Sequence, residues 1–92
     1  MIRRFRHKGL ERFFVAGDTS GINAQFAKKR RAMLLLLDES TEPAGMNIPS
    51  FRLHPLKVDR NGQWAVWVSG NWRRIFTFEG EHASEVDLDD YH

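Results

Sequence analysis

Cysteine is absent from the 92-residue chain. Its absence excludes disulfides, thiolate zinc sites and cysteine nucleophiles. Long hydrophobic stretches are missing too, since the longest run of large apolar residues is Met33 to Leu37. A run this short cannot span a bilayer, and the N-terminal residues lead into no signal-peptide core. The sequence therefore predicts a soluble, intracellular protein that does not associate with a membrane.

The composition is that of a globular protein, because 41% of the residues are hydrophobic. A chain of this length forms one domain with a core large enough to fold. No internal repeat or low-complexity tract divides it. We therefore predict a single domain over residues 1–92.

The charges are unevenly distributed along the chain, although the formal net charge is only +2. Nine of the 14 basic residues lie between Arg3 and Arg31, and six of the 12 acidic residues lie between Glu79 and Asp90. This asymmetry indicates a basic face that attracts polyanions. The alternative is that these basic side chains are ordinary solvated surface.

The first half of the chain has helical periodicity. Leu10, Phe13 and Phe14 follow a helical spacing, and Gly17-Asp18 closes that segment. A short strand is also possible from Ile2 to Phe5. A longer amphipathic helix is predicted from a second set of apolar residues, with Lys28, Lys29 and Arg31 on its outer face. That set comprises Ile22, Phe26, Met33, Leu34 and Leu37.

The second half has the period and the turns of β-strands. Short strands are predicted at 51–53, 64–68, 72–78 and 83–88. Turns are predicted at 59–62, where Asn61-Gly62 is a strong hairpin signal, and at 69–71 and 79–81. Two helices followed by an antiparallel meander predict an α+β domain, with both N-terminal helices packed on a small sheet.

Polar residues of the C-terminal half form the candidate site. They are His54, Lys57, Arg73, Asp90, Tyr91 and His92. Strand alternation places Arg73 on the sheet face opposite Trp72, Phe76 and Phe78. If the last strand pairs centrally in the sheet, its end lies beside the loop after Leu53. All six groups can then line one concave face.

These residue types suit metal-free cleavage of RNA. Attack by the ribose 2′-hydroxyl needs a base, an acid and cations that stabilise the phosphate. Histidine serves as acid or base, lysine and arginine bind phosphate, and tyrosine stacks on a base. Taken singly, the same residues also fit a loop histidine, a surface lysine, a solvated arginine and a solubilising tail. The three tryptophans are predicted to pack in the core or on the sheet rather than to stack on bases.

No pattern favours other chemistry. The spacing of His7, His54, His82 and His92 resembles no zinc-ligand motif. The sequence has neither the Gly-x-Ser-x-Gly turn of serine hydrolases nor a glycine-rich phosphate loop. We therefore predict no metal and no cofactor.

Five segments, in order over nearly the whole chain, resemble the HigB toxins, a branch of the RelE-like ribonuclease superfamily. They are Phe5 to Leu10, Thr19 to Gly21, Leu53 to Lys57, Asn71 to Arg73 with Phe76, and Asp90 to His92. The resemblance implies a RelE-like microbial ribonuclease-type fold. It also implies a bacterial type II toxin that enters the ribosome and cuts the codon in the A site without metal.

The resemblance further implies partners and roles. The expected partners are a helix-turn-helix antitoxin (HigA-like), the ribosome with its mRNA, and operator DNA through the antitoxin complex. His92 is the first candidate for proton transfer and His54 the second, while Lys57 and Arg73 neutralise the scissile phosphate. The division of acid and base among the histidines and Lys57 stays open.

Other residues are expected to contact RNA around that centre. Asp90 would orient a histidine or contact the RNA, and Tyr91 would stack on or position a base. Under this interpretation, the basic helix surface of Lys28, Lys29 and Arg31 contacts ribosomal RNA.

The chain departs from the family pattern at two positions. Val58 stands where relatives commonly have glycine, so the loop that carries Lys57 could differ in shape. Arg74 stands where an aliphatic residue is usual. Because a buried unpaired arginine is costly, we expect Arg74 at the sheet margin or extended outward to solvent.

Two alternatives belong to other functional classes. One is a catalytically inactive binding module that acts only through an antitoxin and operator DNA, and such a module has no need for His92. The other is a general single-strand RNA binder, which would bind free RNA as tightly as ribosomes.

Overall fold

The computed structural model describes residues 1–22, 27–56, 62–69 and 72–90, with the backbone alone for Ser69, Asp89 and Asp90. Helices α1 (Lys8–Ala16) and α2 (Ala27–Glu39) are followed by two short 3₁₀ helices, Pro43–Met46 and Pro49–Phe51. The strands are β1 (His54–Pro55), β2 (Trp64–Ser69), β3 (Trp72–Glu79) and β4 (His82–Asp90). They form one antiparallel sheet in the order β1-β2-β3-β4, which confirms the predicted α+β class and meander.

Helix α1 is capped at both ends by residues that satisfy its free backbone groups. The Nδ1 atom of His7 accepts a hydrogen bond from the Leu10 backbone N–H at 3.0 Å. At the other end Gly17 has φ 73°, a left-handed conformation that favours glycine, and its N–H donates to the Phe13 carbonyl at 2.9 Å. The predicted helix end at Gly17 is confirmed.

Helix α2 buries the apolar residues that its periodicity predicts, since Met33, Leu34 and Leu37 are all buried. Ile22 precedes the helix, and Phe26 lies outside the described residues. The prediction for the basic surface was wrong at one position. Lys28 and Arg31 are exposed, whereas Lys29 is only half-exposed and donates a hydrogen bond to the Val68 carbonyl.

The predicted strand at 51–53 was wrong. Pro49, with its fixed φ, starts a 3₁₀ turn there, and Arg52 ends it in a left-handed conformation with φ 53°. The strand begins only at His54 and has two residues. Of the turn predicted at 59–62, Gly62 has φ 87°, and residues 59–61 lie outside the described part of the chain.

Strand β4 lies at an edge of the four-stranded sheet, so the central pairing on which the predicted grouping of all six residues depended is not present. On one side it pairs with β3, where Trp72 opposes Asp90. On its other side the N-terminal segment forms two isolated parallel bridges, Ile2 with Ala83 and Phe5 with Val86. These bridges take the place of the strand considered at 2–5.

The two sheet faces differ in what they bury. One contributes apolar side chains to a core cluster that also contains Phe5, Met46 and the buried residues of both helices. The strand members of that cluster are Val66, Val68, Phe76, Ala83 and Val86. On the opposite face Ala65 and Ile75 are fully buried outside the cluster. No helix within the described ranges is long and apolar enough to cross a membrane.

Candidate functional site

Two cross-strand rows form the sheet face opposite the core. In the first row His54 opposes Ala65, Ala65 opposes Ile75, and Ile75 opposes Asp87. In the second row Arg73 lies between Trp67 and the backbone of Asp89. Residues directly opposed across antiparallel strands share a face. His54 and Arg73 therefore lie on the same face, with β2 between their strands and roughly 10 Å between the backbones of β1 and β3.

The imidazole of His54 is held by a contact with the backbone. Its Nδ1 lies 2.8 Å from the carbonyl oxygen of Arg52. Because a carbonyl oxygen can only accept a hydrogen bond, Nδ1 carries the proton in this contact. The other ring nitrogen, Nε2, then points away from this anchor and, in the neutral ring, keeps its lone pair. An exposed histidine in this state can take a proton through Nε2.

Arg73 is half-buried in β3, a strand paired on both sides. Its neighbours in sequence, Trp72 and Arg74, lie on the core face, as the predicted alternation requires. Because β3 is hydrogen-bonded to a strand on each side, the backbone that carries the Arg73 side chain is held in place. The prediction that Arg73 lies on the face opposite the core is confirmed.

Four other candidates are only partly covered by the described structure. Asp90 is the last residue of β4 and its backbone opposes Trp72 at the start of β3. Lys57, Tyr91 and His92 lie outside the described residues, as does Val58. The expectation that all six groups line one face therefore stays a prediction.

Sequence reasoning missed two residues near this site, Trp67 and Arg52. Trp67 opposes Arg73, and its ring centroid lies 5.0 Å from the Cζ atom of Arg52 and 4.6 Å from Nζ of Lys29. Both distances fall in the cation–π range. Strand alternation could have found Trp67, because it is out of phase with the core residues Val66 and Val68. No sequence signal indicated the position of Arg52.

Arg74 is fully buried, so the expectation that it reaches the sheet margin was wrong. It points from the middle of β3 toward α2, where Nη1 donates to the Arg30 carbonyl at 3.3 Å. Its Nε and Nη2 atoms have no hydrogen-bond partner within the described part of the structure. Burial, and then the neighbouring charge of Arg30, lower the pKa of Arg74 to about 9.

A cavity of about 350 Å³ opens on the core side of the same sheet, away from His54 and Arg73. It lies where the loop after α1 meets α2 and the sheet. Its lining includes His7, Gly21, Arg30 and Trp72. The described residues contain no group of three or more histidine, aspartate or glutamate side chains arranged to hold a metal ion.

Comparison with known proteins identifies the family. The family described as the RelE-like toxin of the type II toxin-antitoxin system HigB matches residues 3–92. The chain belongs to the HigB-like toxin family. It is also 41% identical, over 92 residues and the full length of both chains, to a protein of Proteus vulgaris named Endoribonuclease HigB. As a HigB-like toxin of a type II system, this protein has an antitoxin as its partner.

Proposed function

We propose that this HigB-like toxin is an endoribonuclease that cuts mRNA on the ribosome, at the codon in the A site, and so inhibits translation. The observation that carries the proposal is the 41% identity over the whole of both chains with Endoribonuclease HigB. In this proposal residues 1–92 act as one cytoplasmic toxin domain of the microbial ribonuclease type. Its two helices cover one face of the sheet and RNA binds the other.

The proposed reaction needs no metal or cofactor. A base removes the proton from the ribose 2′-hydroxyl, and the 2′-oxygen attacks the adjacent phosphorus. The bond from phosphorus to the 5′-oxygen breaks, and an acid protonates that oxygen. The products are a 2′,3′-cyclic phosphate and a 5′-hydroxyl. The extra negative charge on the phosphate in the transition state requires fixed cations.

His54 and Arg73 are the two candidates whose side chains the structure describes, and their positions are consistent with these roles. His54 offers Nε2 for proton transfer because Nδ1 is anchored to the Arg52 carbonyl. Arg73 shares the face of His54 and can donate two hydrogen bonds to phosphate oxygens. We propose that Lys57 adds a second cation at the scissile phosphate.

The C-terminal residues complete the proposed site. His92 is the first choice for proton transfer, with His54 as the second member of the pair. Asp90 orients a histidine or contacts the RNA, and Tyr91 stacks on a base. The acid and the base are to be assigned among the histidines and Lys57 by experiment.

The proposed partners extend beyond the antitoxin of the type II system. We propose that this antitoxin has a helix-turn-helix domain and brings the toxin to operator DNA. Lys28, Lys29 and Arg31 on α2 are proposed contacts with RNA or the ribosome. Of these, Lys28 and Arg31 are exposed.

Removal of His92 tests the catalytic proposal directly. The assay compares the intact chain with a chain lacking only His92 on ribosomes programmed with a defined mRNA. Parallel samples omit the ribosomes. We expect codon-phased cuts that require ribosomes and fall at least about 100-fold without His92, which is the contribution of one acid–base group.

The opposite result has an equally clear meaning. A folded intact chain that binds ribosomes and cuts no mRNA in any sample would overturn the nuclease proposal in favour of an inactive binding module. Cleavage that is unchanged without His92 would remove that residue from the mechanism. Cleavage of free RNA as efficient as cleavage on ribosomes would contradict ribosome dependence.

A further inference from the structure

The second row of the RNA-facing sheet surface carries an aromatic ring with two cations against it. Trp67 lies on β2 directly opposite Arg73. The guanidinium of Arg52 and the ammonium of Lys29 lie 5.0 Å and 4.6 Å from the centroid of its indole ring. We call the three residues Arg52, Trp67 and Lys29 the indole cluster.

The two cations reach this ring from different parts of the fold. Arg52 ends a 3₁₀ turn in a left-handed conformation, and it contacts His54 through its carbonyl while its side chain lies on Trp67. Lys29 extends from α2 to β2, where its ammonium group donates to the Val68 carbonyl. Backbone contacts therefore hold the main chain of Arg52 and the ammonium group of Lys29.

Such a concentration of positive charge is unfavourable without an anion. Since both cations lie on one ring, their charges are within about 10 Å of each other, a separation over which salt screens them only partly. Within the described residues, neither Arg52 nor Lys29 forms an ion pair with a carboxylate, whereas Arg4, Lys8 and Arg12 do so.

We propose that the indole cluster is a phosphate-binding subsite for the RNA strand being cut, adjacent to the site of the scissile phosphate. The proposal rests on the proposed function, because it takes the Arg73 and His54 face as the reaction face. Arg52 binds a phosphodiester that flanks the scissile one, and Lys29 supports it with a second charge. Trp67 is a positioning residue, whose ring holds both cations toward the strand.

The position of the cluster favours the substrate strand over a distant part of the ribosome. Trp67 and Arg73 are neighbours across one strand spacing of about 4.8 Å. Arg52 is two residues from His54 and touches its imidazole. A single strand whose reacting phosphate lies at Arg73 therefore passes within reach of Arg52. Lys28 and Arg31 are not part of this cluster.

The test compares Arg52→Gln with a matched control, Arg31→Gln, in three assays. The first measures KM and kcat for cleavage on programmed ribosomes. The second measures binding to ribosomes whose A-site codon carries 2′-deoxy nucleotides and cannot be cut. The third measures binding to ribosomes whose mRNA ends before the A site. Glutamine removes the charge and keeps the Arg52 carbonyl that anchors His54.

We expect Arg52→Gln to raise KM about tenfold with kcat within about a factor of two, as for a contact that binds ground and transition states alike. Affinity should fall in the second assay, for ribosomes with the uncleavable codon. It should not fall in the third, for ribosomes whose mRNA ends before the A site. The slope of log affinity against log salt should become shallower by about 0.7 in the second assay, the value for one lost phosphate contact on a single strand. Arg31→Gln should weaken ribosome binding equally in the second and third assays.

Two variants of Trp67 test its positioning role. Trp67→Phe keeps an aromatic face and should retain most of the affinity for the uncleavable codon. Trp67→Leu should lose affinity and show the same shallower salt slope as Arg52→Gln. Equal binding by both variants and the intact chain would remove Trp67 from the subsite.

Failure of the subsite and failure of the proposed function give different results. If the intact chain cuts mRNA and Arg52→Gln changes neither KM nor the salt slope, the subsite is overturned and the nuclease stands. An equal loss in the second and third assays would assign Arg52 to ribosomal RNA, which also overturns the subsite. If the intact chain never cuts, a selective loss in the second assay still supports the subsite.

Discussion

Arg74 is a charged residue in a position that its surroundings do not favour. Its guanidinium is fully buried, with one 3.3 Å hydrogen bond to the Arg30 carbonyl and two nitrogen atoms that have no hydrogen-bond partner within the described structure. Removing such a charge from water costs several kcal/mol, and one long hydrogen bond recovers only a part of it. The backbone of β3, paired on both sides, prevents the side chain from leaving the core.

We therefore expect Arg74→Met to raise the free energy of unfolding by about 1–4 kcal/mol. Methionine keeps an unbranched chain of similar length and removes the charge. The measurement is urea unfolding, with Arg31→Met as a control on the exposed face of α2. The control should change stability by less than about 0.5 kcal/mol. A loss of stability in Arg74→Met would show that the charge has a compensating partner.

The pH dependence of that gain follows from the lowered pKa of Arg74. Below pH about 9 the native and the unfolded chain both keep the proton, so the gain should be equal at about pH 6 and about pH 8. Above pH about 9 the native state releases the proton first, while the unfolded state still binds it. Stability of the parent protein then rises relative to Arg74→Met, and the difference between the two should shrink.

At the level of elements, α1 is held against the following loop by two glycines in close contact. A Cβ atom on Gly9 would overlap the Gly21 carbonyl oxygen and lie 2.8 Å from Cε1 of His7. The same approach explains why the segments around Gly9 and Gly21, distant in sequence, both contain glycine. The contact brings the N-terminus of α1 to the rim of the core-side cavity.

Gly9→Ala sets two effects against each other. Alanine in a helix is favoured over glycine by about 1 kcal/mol, whereas overpacking against backbone costs about 1–3 kcal/mol. Because the neighbour is a backbone carbonyl that cannot rotate away, we expect a net loss of about 1 kcal/mol or more. Val15→Ala, at an exposed position of the same helix, should instead gain a few tenths of a kcal/mol. Thermal unfolding of both variants separates the effect of close packing at Gly9 from the effect of the helix propensity of alanine.

The elements also show how far sequence patterns reach. Helix α1, its glycine end and the turn before His82 follow from local signals that the tertiary structure does not override. The region 51–53 has strand-forming residues, but Pro49 and the left-handed Arg52 turn the chain instead. Strand β4 lies at the edge of the four-stranded sheet, and its outer side is bridged by Ile2 and Phe5, which are long-range contacts that no local pattern encodes.

The candidate site was predictable to the same extent. Alternation along β3 placed Arg73 on the correct face because the period of a strand is independent of its partners. The anchoring of His54 by Arg52 depends on a backbone conformation that is rare outside glycine, so composition gave no indication of it. The exposure of Arg74 was predicted wrongly. The free-energy cost of burying a charge does not show whether a side chain at that strand position can reach solvent.

On the scale of the whole molecule, the N-terminal basic residues are divided among different surroundings. Of the four consecutive basic residues of α2, Arg30 is buried and Lys29 is bound at the indole cluster. Lys28 and Arg31 alone among these four are exposed. The predicted polyanion surface on α2 is therefore reduced to two side chains.

A double charge reversal of Lys28 and Arg31 to glutamate tests whether this surface contacts the ribosome. We expect ribosome affinity to fall and its salt dependence to become weaker, because two cations that release counterions from RNA are lost. Unfolding free energy should stay within about 0.5 kcal/mol, since both residues are exposed. The measurement is ribosome binding across a salt titration.

Net charge alone could produce part of that effect, so the control must change the total charge equally. Arg3→Glu with Arg6→Glu does so, because both residues are exposed in the N-terminal segment beside β4. Long-range attraction depends on total charge and would fall alike in both double variants. A contact depends on position, so only the α2 variant should lose affinity at high salt. If both double variants lose the same affinity at every salt concentration, the basic N-terminal half acts only by long-range electrostatic attraction, and α2 makes no contact with the ribosome.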